Sequence, residues 1–209
     1  MIDWDSCVLW LDNRYFTDSY WWDRSKYLND GIVYNAKFKG DSFFFNGIDN
    51  YVDCGNDESL NITDAITIEV WVRPKSINIA RKVTAKNYDG TKAPYVIAIT
   101  SDNKFRFYSY DNSVLFDTKG GTVAKNTWYH VVGTFNKNKE SNQACLYVNG
   151  ELVDSDTYTS PLPTNDEHVF IGYYVNSYFY GSILSVRIFN RALNNEEIKI
   201  LYNLTYRIV

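Results

Sequence analysis

The stretch GSILSVRIFNRALNNEEI, residues 181–198, changes period part-way along. Its first half alternates, with Val186 and Ile188 on one face and Arg187 on the other, which is the pattern of a half-buried strand. Arg187 is therefore expected to pair with a carboxylate at a sheet edge. Gly181 opens the strand where a side chain is not expected to fit. The second half starts a helix. Asn194 can cap it and Glu197 stands three residues on, a capping-box spacing. Glu196 and Glu197 suit the positive end of a helix, and Ile198, Leu201 and Tyr202 supply its apolar face.

Everything upstream reads as strands and turns. SFFFNG (42–47) is a short strand ending in a turn, and AITIEVWVRP (65–74) alternates Ile68, Val70 and Val72 against Glu69, Trp71 and Arg73. YVIAIT (95–100) and KFRFYSY (104–110) form a hairpin across 101–103, followed by SVLFDT (113–118). TWYHVVGTF (127–135) comes next, and QACLYVNGELVDSD (143–156) carries Asn149-Gly150, a strong hairpin signal, between two strand-like runs. HVFIGYY (168–174) leads into the stretch quoted above. Many short strands before one short helix predict an all-β, antiparallel two-sheet sandwich, read as a single domain over 1–209. Trp71 and Trp128 are expected to fill the space between the sheets.

Composition narrows the function classes. The net charge is −4 and no Lys/Arg-dense stripe occurs, which argues against nucleic acid or an anionic membrane as the main partner. No apolar run approaches the ~20 residues of a membrane helix, so no membrane insertion is expected. The N-terminus MIDWDSCVLW carries acids rather than a basic region, so no signal peptide is expected. Cys7, Cys54 and Cys145 are widely spaced and odd in number, which predicts free, buried thiols and no zinc site.

Five segments together carry a family resemblance. FNGIDNYVDCG (45–55), ITIEVWVRP (66–74), NTWYHVVGTFN (126–136), CLYVNGELV (145–153) and the 181–198 stretch stand in the order of the signature strands of laminin G-like, concanavalin A-like jelly-roll domains. The resemblance covers roughly residues 43 to 203. It implies a concanavalin A-like jelly roll, with VLWLDNRYFTDSY (8–20) supplying an N-terminal edge strand. It also implies a carbohydrate or protein partner, and a structural calcium ion. The family's calcium ligands fall here on Asn46, Asp49 and Asn50, and on Leu184 and Ser185, where the usual acids are missing. Calcium prefers six to eight oxygens, many of them carboxylate. The expected metal site thus rests on Asp49 and Asn50 alone.

Catalysis is not expected. Glycan hydrolysis normally needs two carboxylates flanking the scissile bond, and no E-x-D-x-E run occurs. His130 matches a structural histidine of the family, and His168 has no evident partner. A sugar surface is easier to build, because sugar rings stack on exposed aromatics while Asn and Asp bond their hydroxyls. The candidates are Tyr173, Tyr174, Asn176 and Tyr178 in YYVNSYFY (173–180), Tyr88 and Asp89 in NYDGTKAPY (87–95), and Trp21-Trp22. The expected function is a non-catalytic lectin-like or adhesion module. The alternative is a viral or phage structural protein that uses the jelly roll for assembly, with the oligomeric state left open. An extracellular surface or a virion is the setting either would suit.

Overall fold

The computed structural model describes residues 1–206, without the side chains of 205 and 206. In chain order the strands begin with β1 (Cys7–Leu11), β2 (Tyr20–Trp21), β3 (Gly31–Tyr34), β4 (Lys37–Lys39), β5 (Ser42–Asn46) and β6 (Tyr51–Asp53). The next are β7 (Ala65–Pro74), β8 (Arg81–Lys86), β9 (Lys92–Ile99), β10 (Lys104–Asp111), β11 (Ser113–Thr122) and β12 (Tyr129–Asn136). The last are β13 (Ala144–Val148), β14 (Glu151–Asp156), β15 (Val169–Ile171), β16 (Tyr173–Tyr174), β17 (Ser177–Tyr178) and β18 (Tyr180–Phe189), before helix α1 (Asn195–Tyr206).

The strands form two antiparallel sheets of a jelly roll. The first runs β14-β13-β12-β7-β18-β5-β4, with β1 also on β18. The second runs β11-β10-β9-β8-β15-β6-β3-β2, and β16-β17 is a separate hairpin. The period-two alternation decides what lies between the sheets. Ile68, Val70 and Val72 of β7 meet Ile97, Phe105 and Phe107 of the second sheet in one core. Gly133 sits in that core because an added Cβ would lie 2.4 Å from the Phe107 ring. At the 149–150 turn, Asn149 and Gly150 both take positive φ, 54° and 81°, as a tight hairpin requires.

The same alternation corrects the tryptophan expectation. Because Val70 and Val72 point inward, Trp71 must point outward, and it is buried beneath α1, stacked 5.8 Å from Tyr202. Trp128 precedes β12 and is half-buried, with the Arg73 guanidinium 4.9 Å from its ring. Arg187 does find a carboxylate, but in the middle of the sheet: its Nη1 donates to Glu69 Oε2 at 2.8 Å, and Glu69 is fully buried. His130 is buried and faces the other Glu69 oxygen at 3.2 Å, a core role as expected. Burial alone would raise the Glu69 pKa, yet Arg187 and His130 outweigh it and hold the carboxyl below its usual range.

Helix α1 closes over this face. Asn194 Oδ1 accepts from the Glu197 N–H at 3.0 Å and Glu197 Oε2 accepts from the Asn194 N–H at 3.0 Å, the reciprocal capping box. Ile198 and Leu201 bury against Cys7, Val132 and Phe189. All three cysteines are free and buried, and burial pushes the Cys7 thiol up to about 12. A Cβ on Gly181 would lie 2.4 Å from the Arg73 carbonyl oxygen, which is why the second residue of β18 is glycine.

The sheet edges are managed one by one. Strand β4 is short and presents Lys37 and Lys39 to solvent, and β2 has only two residues. On the other side β11 and β14, edges of opposite sheets, meet. The Asp117 N–H donates to Asp156 Oδ2 at 2.8 Å and the Lys119 N–H to Asp154 Oδ2 at 2.7 Å.

Candidate ligand-binding site

Among the described residues, no helix covers the outer face of the second sheet. Its register sets out two rows of side chains. Lys82, Ala98, Arg106 and Lys119 lie across four neighbouring strands, and Ala85, Val96, Tyr108 and Asp117 form the next row. Small residues on β8 and β9 leave a trough. Ala85, Ala93, Val96 and Ala98 make its floor, and Tyr88, Tyr110 and Tyr174 pack down onto it beside Tyr108. The result is an open cleft of about 400 Å³ lined by Tyr88, Tyr108, Tyr110 and Tyr174, with Lys82 and Arg106 at one end and Val114 and Val175 at the rim. Among the described residues no carboxylate lines it.

Two of the sequence candidates meet here. Tyr88, from the loop after β8, and Tyr174, from the β16-β17 hairpin, share this cleft. Asp89 does not join them. Its Oδ1 accepts from the Thr91 and Lys92 N–H groups, both at 2.7 Å, so it holds its own loop in shape. Tyr173 and Tyr178 turn the other way and pack on Tyr51 and Phe170, with Tyr51 stacked 4.5 Å from Tyr34. Asn176 is exposed at the hairpin tip, where it and Val175 both adopt positive φ, 59° and 42°. That backbone region is unfavourable for a β-branched side chain, so the tip is strained.

Sequence reasoning missed Lys82, Arg106, Tyr108 and Tyr110. The signal was present in KFRFYSY, whose alternate residues Phe105 and Phe107 are buried while Arg106, Tyr108 and Tyr110 take the outer face. Arg106 binds Asp117 through two hydrogen bonds of 2.6 and 2.9 Å, and its guanidinium lies 4.2 Å from the Tyr108 ring centre. Burial pushes the phenols of Tyr108 and Tyr174 up. Trp21 is not a surface residue: it is fully buried, and its indole N–H donates to the Asp12 carbonyl at 2.7 Å. Trp22 is exposed and stacks on Tyr20 at 4.8 Å. His168 has a partner after all, Asp53, at 2.8 Å, because Asp53 shares the outer face of neighbouring β6.

The proposed metal loop is filled by amides. Asp49 Oδ1 accepts from Asn46 Nδ2 at 2.7 Å and from Asn50 Nδ2 at 3.1 Å, and Oδ2 accepts from Asn35 Nδ2 at 3.1 Å. Asn50 Oδ1 accepts from the Asn46 N–H at 2.8 Å, and Leu184 and Ser185 are buried in β18. One carboxylate that already satisfies three amide donors does not fit calcium's demand for oxygen ligands. Among the described residues no group of three His, Cys, Asp or Glu side chains could hold a metal ion.

A family profile described as the concanavalin A-like lectin/glucanases superfamily, of laminin G type, matches residues 46–199, more than half of the chain. The chain belongs to that superfamily. No curated protein is similar enough in sequence to count as a relative. Among solved structures, the binding domain of Paraclostridial Mosquitocidal Protein 1 matches 97% of this concanavalin A-like chain and 53% of its own, with a TM-score of 0.76 and 18% identity. The binding domain of Botulinum Neurotoxin DC, solved in complex with SialylT, matches 96% of this chain and 52% of its own, with a TM-score of 0.74 and 19% identity. Trypanosoma rangeli sialidase matches with a TM-score of 0.70 and 18% identity, over 97% of this chain and 33% of the enzyme. At these identities the likeness is one of fold, and the chain spans a third to about half of each matched chain. Among the described residues no helix is long and apolar enough to cross a membrane.

Proposed function

We propose that the chain is a carbohydrate-binding module whose sugar lies in the tyrosine cleft, without hydrolysing it. The observation that carries this is the convergence of four tyrosines from three separate parts of the chain on an alanine floor, with two cations at one end. Such a trough offers ring faces for stacking and phenol groups for bonding hydroxyls. The toxin binding domains of the same fold, one of them solved with SialylT, support the reading. So does the lack, among the described residues, of an acid in the cleft lining, since hydrolysis would need carboxylates at the scissile bond.

A glycan array with the purified chain, followed by titration of the hits, tests this. Tyr174→Ala and Tyr110→Ala should each weaken binding about tenfold or more, corresponding to ~1.4 kcal/mol. No binding by the wild-type chain, or binding indifferent to both changes, refutes the reading. A second reading, protein assembly, is favoured by one feature. Tyr20, Trp22, Ile32 and Tyr34 are all exposed around the β2-β3 edge. Light scattering on the purified chain decides it: an oligomer dispersed by Trp22→Ser would support assembly through that patch.

A further inference from the structure

Lys82 stands apart from the other charges on the ligand face. Its side chain is half-buried, and its ammonium lies 5.0 Å from the centre of the Tyr174 ring. Lys119, in the same row, pairs with Asp102 at 3.1 Å, and Arg106 is neutralised by Asp117. Among the described residues Lys82 has no such carboxylate. Burial, Arg106 and Arg81 all act on it in one direction, against its charge. The cleft therefore holds one uncompensated cation beside an aromatic wall. Leaving a partly buried charge unpaired is unfavourable, and an anion delivered by a ligand relieves it.

We infer that the cleft selects an acidic sugar, whose acid group pairs with Lys82 while its ring lies against Tyr174. This rests on the proposal that the cleft binds sugar, and it names the class. A carboxylated sugar and a sulfated one present the same charge to the ammonium, and the probes below separate them. A charge-assisted hydrogen bond in such a site favours the acidic ligand by about ten- to a hundredfold over its neutral counterpart.

The test is calorimetric titration of the full chain with lactose, sialyllactose and sulfated lactose, on the wild type, Lys82→Met and Lys82→Arg. Lys82→Met keeps most of the apolar stem and removes the charge. At least one acidic probe should bind at least tenfold tighter than lactose, and which one identifies the acid group. That ratio should fall to near one in Lys82→Met and be largely restored in Lys82→Arg. Thermal melts of both variants show that the fold is intact. Lactose bound as tightly as both acidic probes, with binding still lost in Tyr174→Ala, overturns the acid selection and leaves the sugar site standing. An acid preference that survives Lys82→Met also overturns it. If no probe binds the wild type, the acid selection fails, and the array decides whether the sugar site fails with it.

Discussion

Consider the removal of Glu69 alone. Glu69→Met leaves the Arg187 guanidinium, 7% exposed, in the middle of the first sheet without its anion. With charge centres about 4 Å apart and an effective dielectric near 20, the lost attraction is on the order of 4 kcal/mol. That agrees with the ~3–5 kcal/mol typical of breaking a buried pair from one side. For a chain of 209 residues each kcal/mol is worth about 2–4 °C, so the melting temperature should fall by about 6–20 °C. Urea unfolding followed by tryptophan fluorescence, with the slope unchanged, gives the free energy directly. Arg187→Met should cost a similar amount. The double variant should recover most of the loss, because two apolar side chains can replace a buried pair at little cost. It should still fall short of the wild type by ~0.5–1 kcal/mol, since Arg187 also lies 5.5 Å from the Trp10 ring. A single variant that costs less than about 1 kcal/mol, or a double equal to the sum of the singles, would refute the reasoning. Sugar affinity should not change in any of these folded variants, because Glu69 and the cleft face away from each other on opposite sheets.

Three further outcomes follow from the same geometry. The folded-state pKa of Glu69 and that of Glu197, which Arg191 holds down, are depressed. Their stabilisation is complete above the ordinary carboxylate pKa of about 4 and is lost as the pH falls through the folded values, so urea midpoints should drop below pH ~4 and less steeply in Glu69→Met. Val175→Asn places a residue that tolerates positive φ at the hairpin tip and should raise stability by roughly 0.5–1 kcal/mol, read as a melting shift of about 1–4 °C. Calcium at ten times a real dissociation constant would add about 1.4 kcal/mol of stability. With Asp49 engaged by three asparagine amides, the melting temperature should be the same in millimolar calcium and in chelator.

The fold was legible because jelly-roll signals are local. Asn149-Gly150 announces its own hairpin, Asn194 and Glu197 announce the helix, and Ile68, Val70 and Val72 mark the inward face by alternation alone. The site was legible only in part. Tyr88 and Tyr174 could be singled out as loop tyrosines, but nothing in either segment says that they converge on Tyr108. That depends on the pairing of β8 with β9 and β9 with β10, and on alanines lowering the floor between them. Trp71 shows the same limit. Period two gave its face correctly as the one opposite Val70, but not which face the sheet would turn to its partner and which to the helix. His168 and Asp53 lie far apart in sequence and meet only because β15 pairs with β6.

The two aspartates of β14 have a consequence for how copies of this chain can associate. An edge strand with free N–H groups is a template on which another chain can add itself, strand by strand. Asp154 and Asp156 already occupy two of those donors on β11, with charged groups that an incoming backbone would have to displace. The border where the two sheets meet is thus closed to zippering, and with it a route towards fibrous aggregates. Clustering of such modules on a surface would then have to run through side-chain faces or through a tether, which leaves each copy's tyrosine cleft open; the sugar binding proposed for that cleft would then gain avidity from many weak contacts.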